Sequence, residues 1–399
     1  MNTEIKKGRY TGVVKAPPSK SAAHRLLICA GLCEGRSVVH GISESEDMKA
    51  TLDCLRALGA VCTKEGDTVT VLGADPMKRR DAVFPCRESG STLRFFIPLC
   101  LLSESEARLT GSRTLLSRPL DVYEEICAGQ GLSFEGSDDG IIVSGALSSG
   151  YFKIPGDISS QFISGLMFAL PLLDGYSVIE LIPPVASKPY IDMTANALSK
   201  FGIRTEMTSD NRIIIPGGQK YQPAEVSAEG DWSNAAFFLA LEALGNDIEV
   251  NGLDRDTLQG DAVIKKLLGR LMRSRPTICV DSCPDLAPVL MAVAAAANGC
   301  ELVGTDRLKI KESDRGQAMA DELAKFGATV MIGDNCISVI PPETLKAPDI
   351  PIDGHNDHRI VMACAVLLTL TGGTISGSEA VNKSYPNFFR DLFSLFREE

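Results

Sequence analysis

The chain has 399 residues, of which 44% are hydrophobic and 23% charged, and its formal net charge is −11 at pH 7. A chain of this length is too long to fold around one hydrophobic core of typical size, which indicates two domains. The negative net charge argues against a nucleic-acid-binding surface. No apolar run reaches the ~20 residues of a membrane span, and the first residues lack the apolar core of a signal peptide. We therefore expect a cytoplasmic protein with reduced, mostly buried cysteines, and the four histidines make a multi-histidine metal site improbable.

The first informative stretch is residues 17–25, where two prolines precede a Ser-Lys-Ser triplet and an apolar run. Proline disfavours helix in the residue before it and serine is a preferred N-cap, so a helix is predicted to start at residues 19–21. The unpaired N–H groups of its first turn, together with Lys20 and Arg25, suit an anion. An ordinary capped surface helix is the alternative, and the recurrence of the pattern argues against it.

Similar helix starts recur five more times along the chain. Each is small and polar and leads into an almost wholly apolar segment, as is typical of a buried helix; they lie near Gly90, Ser159, Asp231, Pro284 and Asn356. A second family of helical stretches, most of them ending at a Gly-containing turn, occupies residues 47–61, 120–134, 191–205, 261–272, 315–330 and 387–396. Strand-turn-strand patterns follow at residues 61–72, 133–143, 204–215 and 329–340, and a short strand is predicted at 277–280.

The sequence therefore predicts six repeats of roughly 60–70 residues, each a buried helix, a strand, an outer helix and two strands. A break after the third repeat gives one domain at residues 19–229 and a second formed by residues 1–18 and 230–399. We expect an α/β (α+β) fold with three repeats in each domain and with buried helices that run roughly parallel. Residues 4–14 form a strand pair that could complete the sixth repeat, so the chain ends are expected to meet. Helix N-termini facing an interdomain cleft would suit a multiply negative ligand, and the two crossings suggest hinge closure.

Cations and candidate acid–base groups cluster at these helix starts and in the loops before the outer helices. Arginine binds phosphate and carboxylate through two hydrogen bonds and lysine acts as a point charge; the cations are Lys20, Arg25, Arg94, Arg118, Lys311, Arg315, Arg359 and Lys383. Asp285, Glu312 and His358 lie among them as candidate acids or bases, and a helix N-cap, a solvated charged face and a structural histidine are the alternative roles. The glycine-rich nucleotide motifs and the serine-hydrolase motif G-x-S-x-G do not occur.

The motifs of this chain, in the order in which they occur, resemble those of the EPSP synthase (3-phosphoshikimate 1-carboxyvinyltransferase) family over the full length of the chain. The matching stretches are residues 18–21, 89–94, 117–119, 159–162, 187–192, 229–231, 284–285, 311–315 and 356–359. The family's fold, an inside-out α/β barrel of two domains with pseudo-threefold symmetry, agrees with the repeat count. The resemblance implies transfer of the enolpyruvyl group of phosphoenolpyruvate to the 5-hydroxyl of shikimate 3-phosphate. It also implies no cofactor or catalytic metal, and a monomer whose partners are these two small molecules, without nucleic acid or membrane.

The resemblance implies a role for each matching position. The phosphate of phosphoenolpyruvate is surrounded by Lys20, Gly90, Arg118, Gln161 and Lys383, and its carboxylate is held by Arg315 and Arg359. The shikimate 3-phosphate pocket comprises Ser21, Arg25, Ser159, Ser160, Ser187 and Tyr190, with Lys311 and Asp285 on the ring hydroxyls. Asp285 is the expected base towards the hydroxyl and Glu312 the expected proton shuttle at C3, assisted by Lys20 and His358. The herbicide glyphosate occupies the phosphoenolpyruvate site in this family, and Gly90 leaves room for it.

Departures from the family pattern occur at Glu88, at His24, which replaces a common Asn, and at Arg307, which replaces an Asn that contacts the shikimate phosphate. Two alternatives stay open: the sister enzyme that transfers enolpyruvyl to UDP-N-acetylglucosamine, and a non-catalytic anion-binding protein on the same scaffold. The Lys20-Ser21 pair, the lack of cysteine in residues 103–116 and the motif at residues 357–359 favour the shikimate enzyme over its sister. The presence of all three candidate acid–base residues favours an enzyme.

Overall fold

The structure is a computed structural model and describes residues 1–398. The chain divides into two compact units. We call Pro18–Glu229 the central unit, and Met1–Pro17 together with the chain from Gly230 onward the terminal unit. No helix within residues 1–398 has both the length and the apolar character needed to cross a membrane.

The strands are two to seven residues long and are numbered in chain order. They are β1 (Asn2–Ile5), β2 (Arg9–Lys15), β3 (Arg36–His40), β4 (Val61–Glu65), β5 (Thr68–Leu72), β6 (Ala82–Pro85), β7 (Ala107–Thr110), β8 (Ser133–Ser137), β9 (Gly140–Ser144), β10 (Tyr151–Pro155), β11 (Tyr176–Ile182), β12 (Glu206–Met207), β13 (Arg212–Pro216), β14 (Glu225–Ser227), β15 (Asp247–Asn251), β16 (Thr277–Cys279), β17 (Cys300–Val303), β18 (Thr329–Gly333), β19 (Cys336–Ile340), β20 (Ile352–Asp353), β21 (Gly373–Ser376) and β22 (Phe396–Arg397).

The helices alternate between buried and amphipathic ones. They are α1 (Lys20–Gly31), α2 (Glu46–Leu58), α3 (Gly90–Cys100), α4 (Arg113–Leu116), α5 (Asp121–Gln130), α6 (Ser160–Ala169), α7 (Lys188–Lys200), α8 (Trp232–Ala243), α9 (Ile264–Leu271), α10 (Ala287–Ala296), α11 (Arg315–Lys325), α12 (His358–Thr371) and α13 (Phe388–Leu395). Short 3₁₀ segments include Pro284–Leu286 before α10, Asp306–Ile310 before α11 and Ser378–Lys383 before α13.

Each unit repeats one motif three times. In the central unit the sheets run β14-β3-β5-β4, β6-β7-β9-β8 and β10-β11-β13-β12, and in each sheet the first pair is parallel and the others antiparallel. Strand β14, at the end of the unit, completes the sheet of its first repeat. The predicted α/β class, with three repeats per unit, is confirmed.

The terminal unit closes with both ends of the chain. Its sheets run β15-β2-β22, β16-β17-β19-β18 and β1-β21-β20. Strand β2 pairs with β22 through Arg9↔Arg397 and Tyr10↔Phe396, and the N-terminal amine lies 2.6 Å from Oε2 of Glu379. The prediction that the chain ends meet is confirmed.

The predicted repeat was wrong in one respect, because it omitted the strand before the buried helix. These strands are β6, β10, β14, β16 and β20, each two to five residues long and each parallel to the next strand of its sheet. A strand so short, without a turn and a second strand beside it, usually shows too little alternation to be recognised from sequence. The segment predicted at 277–280 is such a strand. Because β16 pairs with β17, it begins a repeat, and the prediction that it ends the previous repeat is wrong.

The apolar helices are buried as predicted. Nearly every residue of α3, α6, α10 and α12 is buried, α3 packs against α6, and α10 packs against α12. A helix with no polar face can be stable only inside a domain.

Candidate active site

Three helix N-termini of the central unit carry predicted phosphate-binding residues. Ser19, Ser89 and Ser159 are the N-caps of α1, α3 and α6, and the Oγ of each accepts a hydrogen bond from a first-turn N–H at 3.3 Å. Capping satisfies one of the unpaired N–H groups, and the helix dipole at each start favours an anion. The three predicted helix starts are confirmed.

Lys20, the first residue of α1, forms an ion pair with Asp47 of α2. Its Nζ lies 2.9 Å from Oδ2 of Asp47, and the side chains are 15% and 11% exposed. The ion pair restricts the position of the ammonium group. Asp47 was not among the predicted site residues, because an acidic residue in the first turn of a helix is ordinary and nothing local indicates a partner 27 positions earlier.

Arg25 is buried where α1 meets α7. Its Nε donates to Oγ1 of Thr194 at 2.8 Å, Nη1 to the carbonyl of Ser21 at 2.7 Å and Nη2 to the carbonyl of Tyr190 at 3.1 Å. The guanidinium also stacks over Phe95, 5.3 Å from the ring centroid. Burial lowers the pKa of Arg25 to about 10, so it remains charged at neutral pH. Three residues of the predicted shikimate 3-phosphate pocket thus lie together.

Two further residues of that predicted pocket lie at helix starts. Ser187, fully buried, precedes α7 and has a left-handed φ of 56°, and its carbonyl accepts a hydrogen bond from the N–H of Tyr190 at 3.0 Å. A positive φ is uncommon for a residue with a side chain and is found preferentially at functional positions. Ser160, the first residue of α6, is 5% exposed.

A second group in the central unit is built on α3. Nη1 of Arg94 donates to Oε1 of Gln161 at 2.8 Å, and Nε2 of Gln161 donates to Oγ of Ser91 at 2.9 Å. A Cβ placed on Gly90 would lie 2.7 Å from Nη1 of Arg118, so the glycine admits the guanidinium. Gly90, Arg118 and Gln161 therefore lie near one another. Arg94, recognised in the sequence as a cation but not as a site residue, connects them.

A buried hydrogen-bond chain joins the first three helices of the central unit. Nδ1 of His24 lies 2.7 Å from Oγ1 of Thr51, which lies 2.8 Å from Oγ1 of Thr92, which donates to Oγ of Ser89 at 2.8 Å. Burial, helped by two neighbouring cations, lowers the pKa of His24 well below its ordinary value, so the imidazole is neutral. The histidine that departs from the family pattern thus links α1, through α2, to the N-cap of α3.

The terminal unit gathers the predicted carboxylate-binding and acid–base residues around Arg315, whose side chain is 1% exposed. Its Nε donates to Oδ2 of Asp357 at 2.8 Å, Nη1 to Oδ1 of Asp285 at 2.8 Å and Nη2 to Oε2 of Glu312 at 2.7 Å. Burial alone would lower the pKa of Arg315, but the three carboxylates outweigh burial and raise the pKa above its ordinary value. One permanently charged guanidinium therefore orients both candidate acid–base carboxylates.

Arg359 holds the other oxygen of Asp285. Its Nη2 donates to Oδ2 of Asp285 at 3.1 Å, and its backbone N–H donates to Oδ1 of Asp357 at 2.9 Å. Burial acts to lower the pKa of Arg359, but Asp285 contributes to a net rise. His358 lies between Asp357 and Arg359 in the sequence, and its side chain is 1% exposed. Its Nδ1 is 3.8 Å from Oδ1 of Asp357, which is too far for a hydrogen bond between those two atoms.

Lys311 completes the surroundings of Asp285. Its Nζ lies 3.5 Å from Oδ1 of Asp285. Burial lowers the pKa of Lys311 to about 8; Asp285 opposes this shift, and Arg307 and Arg315 add to it. Lys311 can therefore gain or lose its proton near neutral pH. Nη1 of Arg307, which departs from the family pattern, lies 3.5 Å from the carbonyl of Asp281.

Lys383 lies in the terminal unit, where its Nζ donates to the carbonyl of Asn356 at 2.6 Å. The four residues predicted to share the phosphate of phosphoenolpyruvate with it all belong to the central unit: Lys20, Gly90, Arg118 and Gln161. The structure thus assigns these five residues to two units, and their joint role stays a prediction.

Asp357 is the residue of the terminal cluster that the sequence interpretation missed. It is fully buried, caps α12 and accepts hydrogen bonds from Arg315 and from Oγ of Ser313, the latter at 3.1 Å. An Asp before an apolar helix indicates an N-cap, which is correct. Nothing local indicates the contact with Arg315, 42 positions earlier.

The two units hold chemically different sets of side chains. The central unit presents cations, serines and helix N-termini, which suit phosphate. The terminal unit presents arginines paired with carboxyl groups, which suit a substrate carboxylate and proton transfer. Within residues 1–398, no three His, Cys, Asp or Glu side chains are grouped so that they could hold a metal ion. On this repeated α/β scaffold, these sets define an enzyme acting on small, multiply anionic molecules.

Comparison with known proteins gives the family. The family model for EPSP synthase (3-phosphoshikimate 1-carboxyvinyltransferase) matches residues 5–392. Relatives named 3-phosphoshikimate 1-carboxyvinyltransferase are 39% identical in Clostridium botulinum (strain Alaska E43 / Type E3), covering 98% of this chain and 96% of the relative, and 39% identical in Clostridium kluyveri, covering 97% and 95%. A solved EPSP synthase from Acinetobacter baumannii, 24% identical, has the same fold, with a TM-score of 0.80 over 99% of this chain and 98% of that one. The chain belongs to the EPSP synthase family, and the resemblance found in the sequence is confirmed.

Proposed function

We propose that this chain transfers the enolpyruvyl group of phosphoenolpyruvate to the 5-hydroxyl of shikimate 3-phosphate and releases phosphate, a step of the shikimate pathway. Family membership supports the reaction. The observation that carries the proposal is the surroundings of Asp285, whose two carboxylate oxygens are held by Arg315 and Arg359. A carboxylate kept ionised by cations can accept a hydroxyl proton, and the same cations suit an anionic substrate.

We assign a separate set of residues to each anionic group of the two substrates. We assign the phosphate of phosphoenolpyruvate to Lys20, Gly90, Arg118, Gln161 and Lys383, and its carboxylate to Arg315 and Arg359. We assign shikimate 3-phosphate to Ser21, Arg25, Ser159, Ser160, Ser187 and Tyr190, with Lys311 and Asp285 at its ring hydroxyls. The contacts of Arg25 with Ser21 and Tyr190, and the nearness of Arg118 to Gly90, support these assignments.

The proposed chemistry is an addition followed by an elimination. Asp285 takes the proton of the 5-hydroxyl group as the hydroxyl oxygen bonds to C2 of phosphoenolpyruvate. Glu312 delivers a proton to C3, with Lys20 and His358 assisting. The resulting tetrahedral carbon carries a methyl group, a carboxylate, the ether and the phosphate. Phosphate then leaves with the electrons of its C–O bond as the methyl group returns a proton to the Glu312 carboxylate, which gives the enol ether. Fixed cations around the developing charges are expected to contribute most to the rate.

We further propose that residues 19–229 form one domain and residues 1–18 with 230–399 the other, with different duties. The first would hold the shikimate 3-phosphate and most contacts to the phosphate of phosphoenolpyruvate. The second would hold the carboxylate of phosphoenolpyruvate and the acid–base residues Asp285 and Glu312. The two compact units and the side chains that each contains support this division.

Phosphate release tests the proposal. The protein is incubated with phosphoenolpyruvate and either shikimate 3-phosphate or UDP-N-acetylglucosamine, with EDTA present throughout. We expect release with the shikimate acceptor alone, undiminished by EDTA. Release only with the sugar nucleotide would assign the chain to the sister reaction. No release with either acceptor, from folded protein, would leave the fold in place and overturn the proposed catalysis.

A further inference from the structure

A strained turn precedes α12 and ends at Asp357, which holds Arg315. Strand β20 ends at Asp353, and the N–H of Asp357 donates to the carbonyl of Gly354 at 2.8 Å, closing a four-residue turn. Both central residues have positive φ, 47° at His355 and 51° at Asn356, as in a type I′ turn. Two successive non-glycine residues in this region are unfavourable, so surrounding contacts must hold the turn.

The contacts come from Glu322 of α11, which is buried with 2% of its side chain exposed. Its Oε1 lies 2.9 Å from Nε2 of His355, and its Oε2 accepts from the backbone N–H of Asp353 at 2.9 Å and from Nζ of Lys325 at 2.7 Å. Both carboxylate oxygens are therefore occupied. A buried carboxylate satisfied in this way makes strong, charge-assisted hydrogen bonds.

Glu322 and Arg315 lie on one face of α11, because seven residues make about two helical turns. Glu322 binds the beginning of the turn, through Asp353 and His355, and Arg315 binds its end, through Asp357. Each end of the turn is thus tied to the same helix. Arg359, which holds Asp285, lies two residues after the end of the turn.

We propose that His355 is a positioning residue: its hydrogen bond to Glu322 holds the 354–357 turn so that Asp357 and Arg359 are fixed relative to Arg315 and Asp285. This inference rests on the proposed function for its kinetic consequence. It assigns a role to a histidine outside the motif at residues 356–359. His355 touches no proposed reacting group and acts through the turn.

The decisive variant is His355→Asn. Asparagine tolerates positive φ, so the turn remains favourable, but its side chain is too short to reach Glu322 as the imidazole does. We expect KM for phosphoenolpyruvate to rise about tenfold or more and kcat to fall, because small displacements of a catalytic group are costly. KM for shikimate 3-phosphate should change less than about twofold, because most of its proposed ligands lie in the central unit.

The matched control is His40→Asn, which removes another histidine–glutamate pair. Nε2 of His40 lies 3.0 Å from Oε1 of Glu225 in the central unit, and neither of these residues is assigned to the reaction. Its kinetic constants should equal those of the unmodified protein. An equal rise in KM for phosphoenolpyruvate in both variants would overturn the proposal.

A double-mutant cycle tests the pair itself. If His355 acts through Glu322, adding Glu322→Ala to His355→Asn should change KM for phosphoenolpyruvate less than Glu322→Ala does alone. Effects that multiply independently would overturn the proposal, as would unchanged constants in His355→Asn.

A readout without substrate separates this inference from the proposed function. Amide hydrogen exchange over residues 354–361 should be faster in His355→Asn than in the unmodified protein, with the other peptides of the terminal unit unchanged. This result supports the positioning role even if neither acceptor releases phosphate, and it is available should Glu322→Ala fail to fold. Unchanged exchange in this peptide would overturn the positioning role whatever the reaction.

Discussion

Nε of Arg315 lies 2.8 Å from Oδ2 of Asp357, in an ion pair whose side chains are 1% and 0% exposed. The pair joins the first residue of α11 to the N-cap of α12. Removing one partner of such a pair leaves a buried charge without compensation, which is more unfavourable than losing an exposed pair. Arg315 is therefore expected to support both the fold of the terminal unit and its chemistry.

Replacing Arg315 by lysine tests this double role. Lysine keeps the charge but has no fork of donors for three carboxylates, so we expect Arg315→Lys to lower the free energy of unfolding by about 3 kcal/mol and to reduce turnover strongly. Urea denaturation and steady-state kinetics measure the two effects. The control is Arg56→Lys, in the exposed pair with Asp53, which should change stability by less than about 1 kcal/mol. Equal effects of the two substitutions would contradict the role of Arg315.

Asp285→Ala separates binding from chemistry. The variant should still bind shikimate 3-phosphate, whose phosphate is assigned to other residues, while turnover falls by about two to four orders of magnitude. Isothermal titration and phosphate release measure these two properties. Asp306→Ala, an exposed carboxylate paired with Lys309, is the control and should leave both unchanged. Unchanged turnover in Asp285→Ala would remove Asp285 from the mechanism.

The lowered pKa of Lys311 predicts a pH dependence. Its charge is lost as pH rises through about 8, so activity that needs this charge should decline above that pH. In Lys311→Arg the charge persists, and the alkaline decline should move to higher pH. A pH profile of kcat/KM for both proteins measures this. The same alkaline limb in both proteins would exclude Lys311 as its origin.

The stability effect of Lys311 has the opposite sign. Because its pKa is lower in the folded protein than in the unfolded chain, the charged form disfavours folding, and this penalty is fully present below pH 8. Between pH 8 and the ordinary lysine pKa of 10.5 the unfolded chain binds more protons, so this contribution makes the protein more stable as pH rises. Urea midpoints over this range should show a steeper rise in the unmodified protein than in Lys311→Arg.

Gly90→Ala tests the approach of Arg118 to α3. The new Cβ would lie 2.7 Å from Nη1 of Arg118, so the guanidinium must move. Since Arg118 is assigned to the phosphate of phosphoenolpyruvate, KM for that substrate should rise about tenfold with a smaller change in kcat. Gly136→Ala, where a Cβ meets no atom within 4 Å, is the control. Identical constants for Gly90→Ala and the unmodified protein would show that Arg118 does not bind the phosphate.

The sequence predicted the elements that depend on local chemistry. Capping serines and wholly apolar runs located the starts of α1, α3 and α6, and the unpaired strands near the N-terminus indicated that the chain ends meet. Four of the five short strands before the buried helices were missed, because a segment of two to five residues without a turn and a second strand beside it offers too few positions to show alternation.

Local sequence patterns could not predict which residues distant in sequence contact one another. The partners of Arg25 in α7, of Lys20 in α2 and of Arg315 at Asp357 are separated in sequence by 169, 27 and 42 positions. The conformation of His355 and Asn356 was equally hidden, because positive φ at these residues depends on contacts with Glu322 and on the turn that Asp357 closes.

The proposed addition and elimination can be followed directly by running the reaction in D₂O and recording the proton NMR spectrum of the enol ether. We predict deuterium in its vinyl methylene group, because C3 gains a solvent-derived proton before losing one, and we predict that Glu312→Gln slows incorporation and turnover together. A product formed at the normal rate without deuterium would contradict protonation at C3 and the proposed role of Glu312.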